Sequence, residues 1–204
     1  MRFEVHSFRN ALTLFENDPT FSNLWSEVVQ ALENISDEDI INYYNSNNRS
    51  SKKSISDAIN KLIDERLVDL NWNRQSPIFN NSIYRPTSRN HWWTLDFAKD
   101  SIAIEVAFNH GEAVAWNLIK PVLSGELNHV EKAIQTQAGI IITATNRMKT
   151  AGNFDGSCGT YEKFLQYLDP LRNILTVPMI VIGLDAPETF IVNKATKQIE
   201  YLSN

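Results

Sequence analysis

Two acidic residues in one short stretch, TLDFAKDSIAIEVAF, carry the chemistry that this sequence offers. Asp96 lies in an alternating run, WWTLDF, and Glu105 interrupts an otherwise apolar run over 102–108. The polar AKDS between the runs reads as a hairpin turn, so the two strands pair and both carboxylates can project to one side. With a backbone carbonyl near Val106 they make a hard-oxygen site suited to Mg²⁺. In a phosphodiesterase, a metal held this way activates water, polarises the phosphate and stabilises the leaving oxygen. An ionised carboxylate in an apolar strand is costly unless it is paired or metal-bound. The alternative is an edge strand on which Glu105 is simply solvated. A D-x₈-E spacing is common and does not by itself decide between them.

Other chemistries have less support. His6, His91, His110 and His129 are scattered, and no two have the i, i+4 spacing of a zinc helix. The single cysteine, Cys158, gives no internal disulfide and no Cys-based zinc site, which fits a cytoplasmic protein of a bacterial or archaeal cell. GNFDGSCG at 152–159 lacks the strand–GxxxxGK[ST]–helix form of a phosphate loop. No apolar run is long enough for a membrane span, and the first ten residues lack the apolar core of a signal peptide. The formal net charge of −5 does not favour nucleic acid. A cleft can nevertheless be locally basic on an acidic protein.

The elements that must position these groups follow from periodicity. At 204 residues and 43% hydrophobic content, one domain spanning 1–204 is expected. Trp25, Val28, Val29 and Leu32 give a helix over 21–35 one apolar face, with Asp18 or Thr20 as cap and Pro19 in the first turn. Asp37–Asp39 reads as a solvated acidic patch. The stretch 45–54, NSNNRSSKKS, reads as a polar, mobile loop. Ser54 or Ser56 then opens a helix with the stripe Ile55, Ile59, Leu62, Ile63 and Leu67. The region 70–89, with Trp72, Arg74, Phe79, Tyr84, Arg85 and Arg89, suits either a nucleic-acid face or an ordinary loop with strand edges. After the hairpin come a helix over 112–123, a buried strand over 139–143, a helix over 161–174 with Phe164, Leu165 and Leu168 inward, and a buried strand over 178–184. Short apolar strands alternating with helices predict an α/β fold, a central mixed β-sheet flanked by helices.

LDFAKDSIAIEVAF resembles the active-site hairpin of the BglII and BstYI family of type II restriction endonucleases, within the PD-(D/E)XK nucleases. An early LWSEV at 24–28, GIIIT at 139–143, a helix beginning with Tyr161-Glu162 and VPMIVIGL at 177–184 follow in the order found in that family. The resemblance implies a restriction-endonuclease-like fold and Mg²⁺-dependent hydrolysis of double-stranded DNA at a short palindrome, GATC-centred or similar. It implies a homodimer, because a palindrome offers two half-sites related by a two-fold axis. Asp96 and Glu105 would be the metal carboxylates, with the Val106 carbonyl. Asn109 and His110, after the catalytic strand, and Ser157, before the Tyr161 helix, would read base edges. Each also suits an ordinary turn. Arg49, Lys52 and Lys53 form an arm that could order on phosphates or remain a solvated loop. The helix after Glu112 is the candidate dimer surface, through Trp116 and Leu118, and a core role for Trp116 is equally consistent.

The pattern breaks at one position. The third catalytic residue is Lys in most PD-(D/E)XK enzymes and Gln in the relatives named above; here it is Ala107, which cannot orient water or take a proton. Three explanations stay open: a deliberately disabled variant, a replacement group from elsewhere such as Lys99, Glu112 or His110, or a relative that binds DNA without cutting it. A different metal hydrolase, acting on RNA or small phosphates, is a further alternative. A purely structural α/β protein leaves Glu105 without explanation.

Overall fold

The computed structural model describes residues 1–46, 54–87, 91–126 and 129–202. The expected arm residues Arg49, Lys52 and Lys53 lie outside these. The chain opens with β1 (Phe3–Phe8), then α1 (Ala11–Asn17), α2 (Pro19–Glu33), α3 (Asp37–Ser46) and α4 (Ser56–Asp69). The strands β2 (Asn73–Pro77), β3 (Thr94–Lys99) and β4 (Ile102–Val106) follow. Then come α5 (Val114–Gly125), β5 (Ala138–Ala144), α6 (Asn146–Ala151), α7 (Tyr161–Leu168), β6 (Met179–Leu184) and a small hairpin of β7 (Phe190–Val192) and β8 (Ile199–Tyr201).

Six strands form one sheet in the order β1-β6-β5-β4-β3-β2. The β4–β5 and β5–β6 pairs are parallel, and the outer pairs are antiparallel, so the sheet is mixed. Every residue of β5 and β6 is buried, as expected of parallel strands covered on both faces. Strand alternation sorts the side chains. Ile104 of β4, Ile140 and Ile142 of β5 and Ile180 and Ile182 of β6 pack with α1 to α4. Ala107, Ile141, Met179 and Val181 pack with Val114 and Leu118 of α5 and Phe164 of α7 on the other side.

Most expected elements are present, with informative differences. Asp18 caps α2 by accepting from the Thr20 N–H, with Pro19 in the first turn. All five residues of the α4 stripe are buried. The hairpin turn is tighter than AKDS: Ala98 and Lys99 remain in β3, and Asp100 makes the turn at φ 46°. The acidic 37–39 segment is the first turn of α3, not a free surface patch. Its Asp37 accepts from the Glu188 and Thr189 N–H groups and so ties the β7 segment to the helix. Asn45 and Ser46, expected in a loop, end that helix. The helix expected over 161–174 stops at Leu168, and turns follow, where Pro170 has no N–H to extend the ladder. Leu118 is fully buried inside the chain, so it cannot belong to a dimer surface; Trp116 is half-buried against Trp92 and Trp93. No helix among the described residues is long and apolar enough to cross a membrane.

One glycine sets how closely α5 lies on the sheet. A Cβ on Gly139 would sit 2.6 Å from Cβ of Pro121, a rigid ring on α5. Gly139→Ala is therefore expected to destabilise the chain by about 1–3 kcal/mol in chemical denaturation, through overpacking. Gly156→Ala, where a Cβ meets nothing within 4 Å, should change stability by less than about 0.5 kcal/mol. Equal effects would remove the close approach of α5 as the reason for Gly139.

Candidate active site

β4 is an internal strand with β3 and β5 on either side, so Glu105 is not an edge residue; it is 1% exposed. The β3–β4 ladder ends at the Phe97–Ile104 pair, one step before Asp96 and Glu105 would face each other. There the two carboxylates replace the missing ladder bonds. The Asp96 N–H donates to Glu105 Oε1 at 3.3 Å, and the Val106 N–H donates to Asp96 Oδ2 at 2.8 Å. Each strand thus holds the other's acid. N–H and C=O of one strand residue point the same way, so the Val106 carbonyl also faces the β3 side, where Asp96 lies.

The two acids have different surroundings. Asp96, with Phe97 and Val106, lines a groove of about 520 Å³ bordered by Tyr43 of α3, Asp57, Asn60, Lys61 and Asp64 of α4, and Arg74 and Gln75 of β2. Lys61 and Arg74 each reach Asp64 at 3.3 Å and leave two cations on the rim of this groove. Glu105 keeps Oε1 on the Asp96 side and turns Oε2 toward the other layer, where Lys120 of α5 donates to it at 2.6 Å. Sequence reasoning did not single out Lys120. Its only sequence signal is a cation in an apolar helix, VAWNLIKPVLSG, with apolar neighbours at 118, 119 and 122.

Burial pushes the Glu105 carboxyl well above the ordinary range, the Asp96 charge pushes it further, and Lys120 opposes both. Burial also raises Asp96, against Lys120 and the Val106 N–H. With both acids ionised, one ammonium beside two carboxylates leaves an uncompensated negative charge. That surplus, with hard oxygens only, fits a divalent cation such as Mg²⁺, which takes one or two carboxylates and keeps several waters. The described residues contain no group of three or more His, Cys, Asp and Glu that could hold a metal, so the fit rests on this pair and a backbone oxygen.

The three residues expected to read bases come together at the carboxyl end of β4. His110 bridges Cys158, the Gly111 N–H donates to the Ser157 carbonyl at 2.7 Å, and the Gly159 N–H donates to the Asn109 carbonyl at 3.0 Å. Asn109, His110 and Ser157 are all exposed. The Asn109 side chain is steadied by Nδ2 of Asn117 at 3.2 Å. Ser157 Oγ meets both Asp155 Oδ1 and His110 Nδ1. A carboxylate can only accept, so the single hydroxyl proton goes to Asp155 and His110 Nδ1 must carry the proton it shares with Ser157. A neutral His110 then presents Nε2 as an acceptor.

None of the expected substitutes for the third group is at the carboxylates. Lys99 Nζ is held at 2.8 Å by Glu27 and by the Leu70 carbonyl. Glu112 and His110 line a separate cleft with Trp92, Trp116, Lys149 and Lys163. Ala107 is 1% exposed, in the apolar cluster under α5.

The raised carboxyls have a consequence for stability. The folded chain holds more protons than the unfolded chain between the ordinary and the raised range, so stability falls as pH rises through that window. Asp96→Asn removes one of the two like charges and keeps an oxygen for the Val106 N–H. Denaturation of metal-free protein from about pH 4 to about pH 8 should show a shallower decline in the variant than in the parent. Identical slopes would mean that the two acids do not repel in the folded state.

Comparison with known proteins shows the fold and the family. The chain aligns in structure with the crystal structure of restriction endonuclease BglII complexed with a DNA 16-mer, at a TM-score of 0.64 and 22% identity, over 98% of this chain and 87% of that one. Free BglII aligns at a TM-score of 0.54 and 18% identity, over 100% and 91%. These likenesses establish the shared fold. No curated protein matches the chain. The family model of restriction endonuclease BglII/BglIII matches residues 3–184, nearly the whole of the six-stranded sheet with its helices, and the chain belongs to that family.

Proposed function

We propose that this chain is a Mg²⁺-dependent type II restriction endonuclease that acts as a single domain, pairs as a homodimer and hydrolyses duplex DNA at a short palindrome, with a GATC-centred site as the family expectation. The observation that carries the reading is the interlocked Asp96–Glu105 pair, held at a point where the ladder opens and left with a surplus of negative charge. Asp96, Glu105 and the Val106 carbonyl would hold the metal. A bound Mg²⁺ supplies charge neutralisation at the phosphate and a means of activating water. The protein's own part is positional. The groove beside Asp96 admits a backbone, and Lys61 and Arg74 on its rim suit phosphate oxygens. Water attacks phosphorus in line as the leaving oxygen departs, and no covalent enzyme intermediate is required.

Base reading is assigned to the loop pair that carries Asn109, His110 and Ser157. In the major groove an acceptor pairs with an amino group, N4 of cytosine or N6 of adenine. His110 Nε2 is such an acceptor, while the amide of Asn109 carries both a donor and an acceptor. Ser157 serves mainly to orient His110, since its hydroxyl proton is already committed to Asp155.

The deciding experiment is incubation of mixed-sequence plasmid DNA with the chain and Mg²⁺. Discrete fragments that vanish with chelator support the reading; intact plasmid with no sequence-selective binding overturns it. Specific binding without fragments would favour the non-cutting relative, for which Ala107 is the supporting observation. In the presence of Ca²⁺, His110→Ala should weaken binding to the cognate palindrome by about 1–3 kcal/mol and leave random-sequence binding nearly unchanged. Arg74→Ala should instead weaken both and lower the salt slope by about one.

A further inference from the structure

Lys120 and Glu105 form a buried ion pair in this site. The Lys120 side chain is 11% exposed and that of its partner Glu105 is 2% exposed. Burying such a pair is rarely worth more than apolar residues of the same shape, so the pair is a poor stability device. Two other polar side chains of α5 are already partnered elsewhere. Asn117 donates to Asn109, and Ser124 bonds Thr136 at 2.7 Å. Only Lys120 is turned on a carboxylate of the proposed metal pair.

Strand alternation puts Ala107 on the same face of β4 as Glu105, the face that α5 covers. A side chain at 107 that reached the carboxylates would enter the space under α5. With a methyl group there, the space is closed by α5, and Lys120 comes to Glu105 from the helix, fifteen residues along the chain. The charges also close. Two carboxylates and one phosphodiester carry three negative charges, and a divalent cation and one ammonium carry three positive charges. Without Lys120, the assembled site would bury a net charge.

We propose that Lys120, reaching in from α5, fills the place left by Ala107: it is a positioning residue whose ammonium holds Glu105 in its ligand orientation and supplies the positive charge the buried site needs once a phosphodiester enters. The inference rests on the nuclease reading above.

The test compares the parent with Lys120→Met, Lys120→Arg, Ala107→Gln and the double variant Lys120→Met/Ala107→Lys. Single-turnover cleavage is measured at saturating Mg²⁺ and DNA, DNA binding in Ca²⁺, and Ca²⁺ binding to DNA-free protein by calorimetry, with thermal melting as a check on folding. Lys120→Met should cleave at least about 10²-fold more slowly, the loss expected for a positioned charge. Its DNA affinity in Ca²⁺ should fall by less than its cleavage rate, since one charge that offsets the phosphodiester is lost, and the DNA-free protein should bind Ca²⁺ more tightly, because the competing cation is gone. Lys120→Arg should recover most of the rate, and the double variant part of it. A purely structural ion pair would move the melting temperature and the Ca²⁺ affinity but not the saturated rate. Lys120→Met cutting at the parent rate overturns the inference, as does faster cutting by Ala107→Gln with Lys120 in place. If neither the parent nor Ala107→Gln cuts any DNA, the nuclease reading itself fails, and this inference falls with it.

Discussion

Two carboxylates set side by side inside a sheet repel each other, and neither can be fully solvated. The region around Asp96 and Glu105 is organised by that repulsion. The β3–β4 ladder gives up its next pair so that each acid can accept a backbone N–H from the opposite strand. One ammonium, Lys120, sits on the more deeply buried acid. That ammonium can arrive only because α5 lies close to β5, and α5 lies close because residue 139 has no side chain to meet Pro121. Strand, helix and glycine are thus linked through one electrostatic requirement. What remains is a negative charge with hard-oxygen donors, a state that a divalent cation relieves and that an apolar core would never contain.

The same sheet gives its two faces different tasks. On the Asp96 side, α3, α4 and β2 leave an open groove with charged rims, and Asp96 lines it. On the Glu105 side, α5 and α7 close over the strands and keep water away from the ion pair. The carboxylate pair therefore stands at the boundary between a wet surface and a dry layer. Beyond the carboxyl end of β4, the loops around 110 and 158 are stitched together by backbone hydrogen bonds. This is the end of an α/β sheet where exposed polar side chains meet ligands. The scaffold thus fixes the acids in the strands and sets the exposed polar side chains in the loops beyond them.

Much of this was legible as periodicity. The stripe at 55, 59, 62, 63 and 67, the cap at Asp18, the paired runs around Asp96 and Glu105 and the buried strands near 140 and 180 are all local patterns, and local patterns survive in a linear chain. Even the acid pair was legible, because a lone Glu in an apolar strand stands out by its cost. Other features were hidden. β1, FEVHSF, mixes polar and apolar residues, and its strand character comes from pairing with β6. Asp37 looked like solvated surface because its partners, the N–H groups of Glu188 and Thr189, lie far along the chain.

The sequence alone determined α2, α4, α5 and the start of α7, the hairpin that brings Asp96 near Glu105, the buried strands β5 and β6, the mixed α/β layering and the family resemblance, since each depends on spacing within a few turns or strand steps. Only the tertiary structure decided whether Glu105 was buried or at an edge, for that depends on strand order: β5 lies beside β4 and closes it off. Only the tertiary structure could bring Lys120 to Glu105, remove Leu118 from any outer surface and join His110 to Ser157. These are contacts between elements, set by how a helix crosses a sheet and by which loops meet beyond it. Nothing in the local order of residues encodes them, because a lysine in an amphipathic helix looks the same whether it ends in water or on a buried acid.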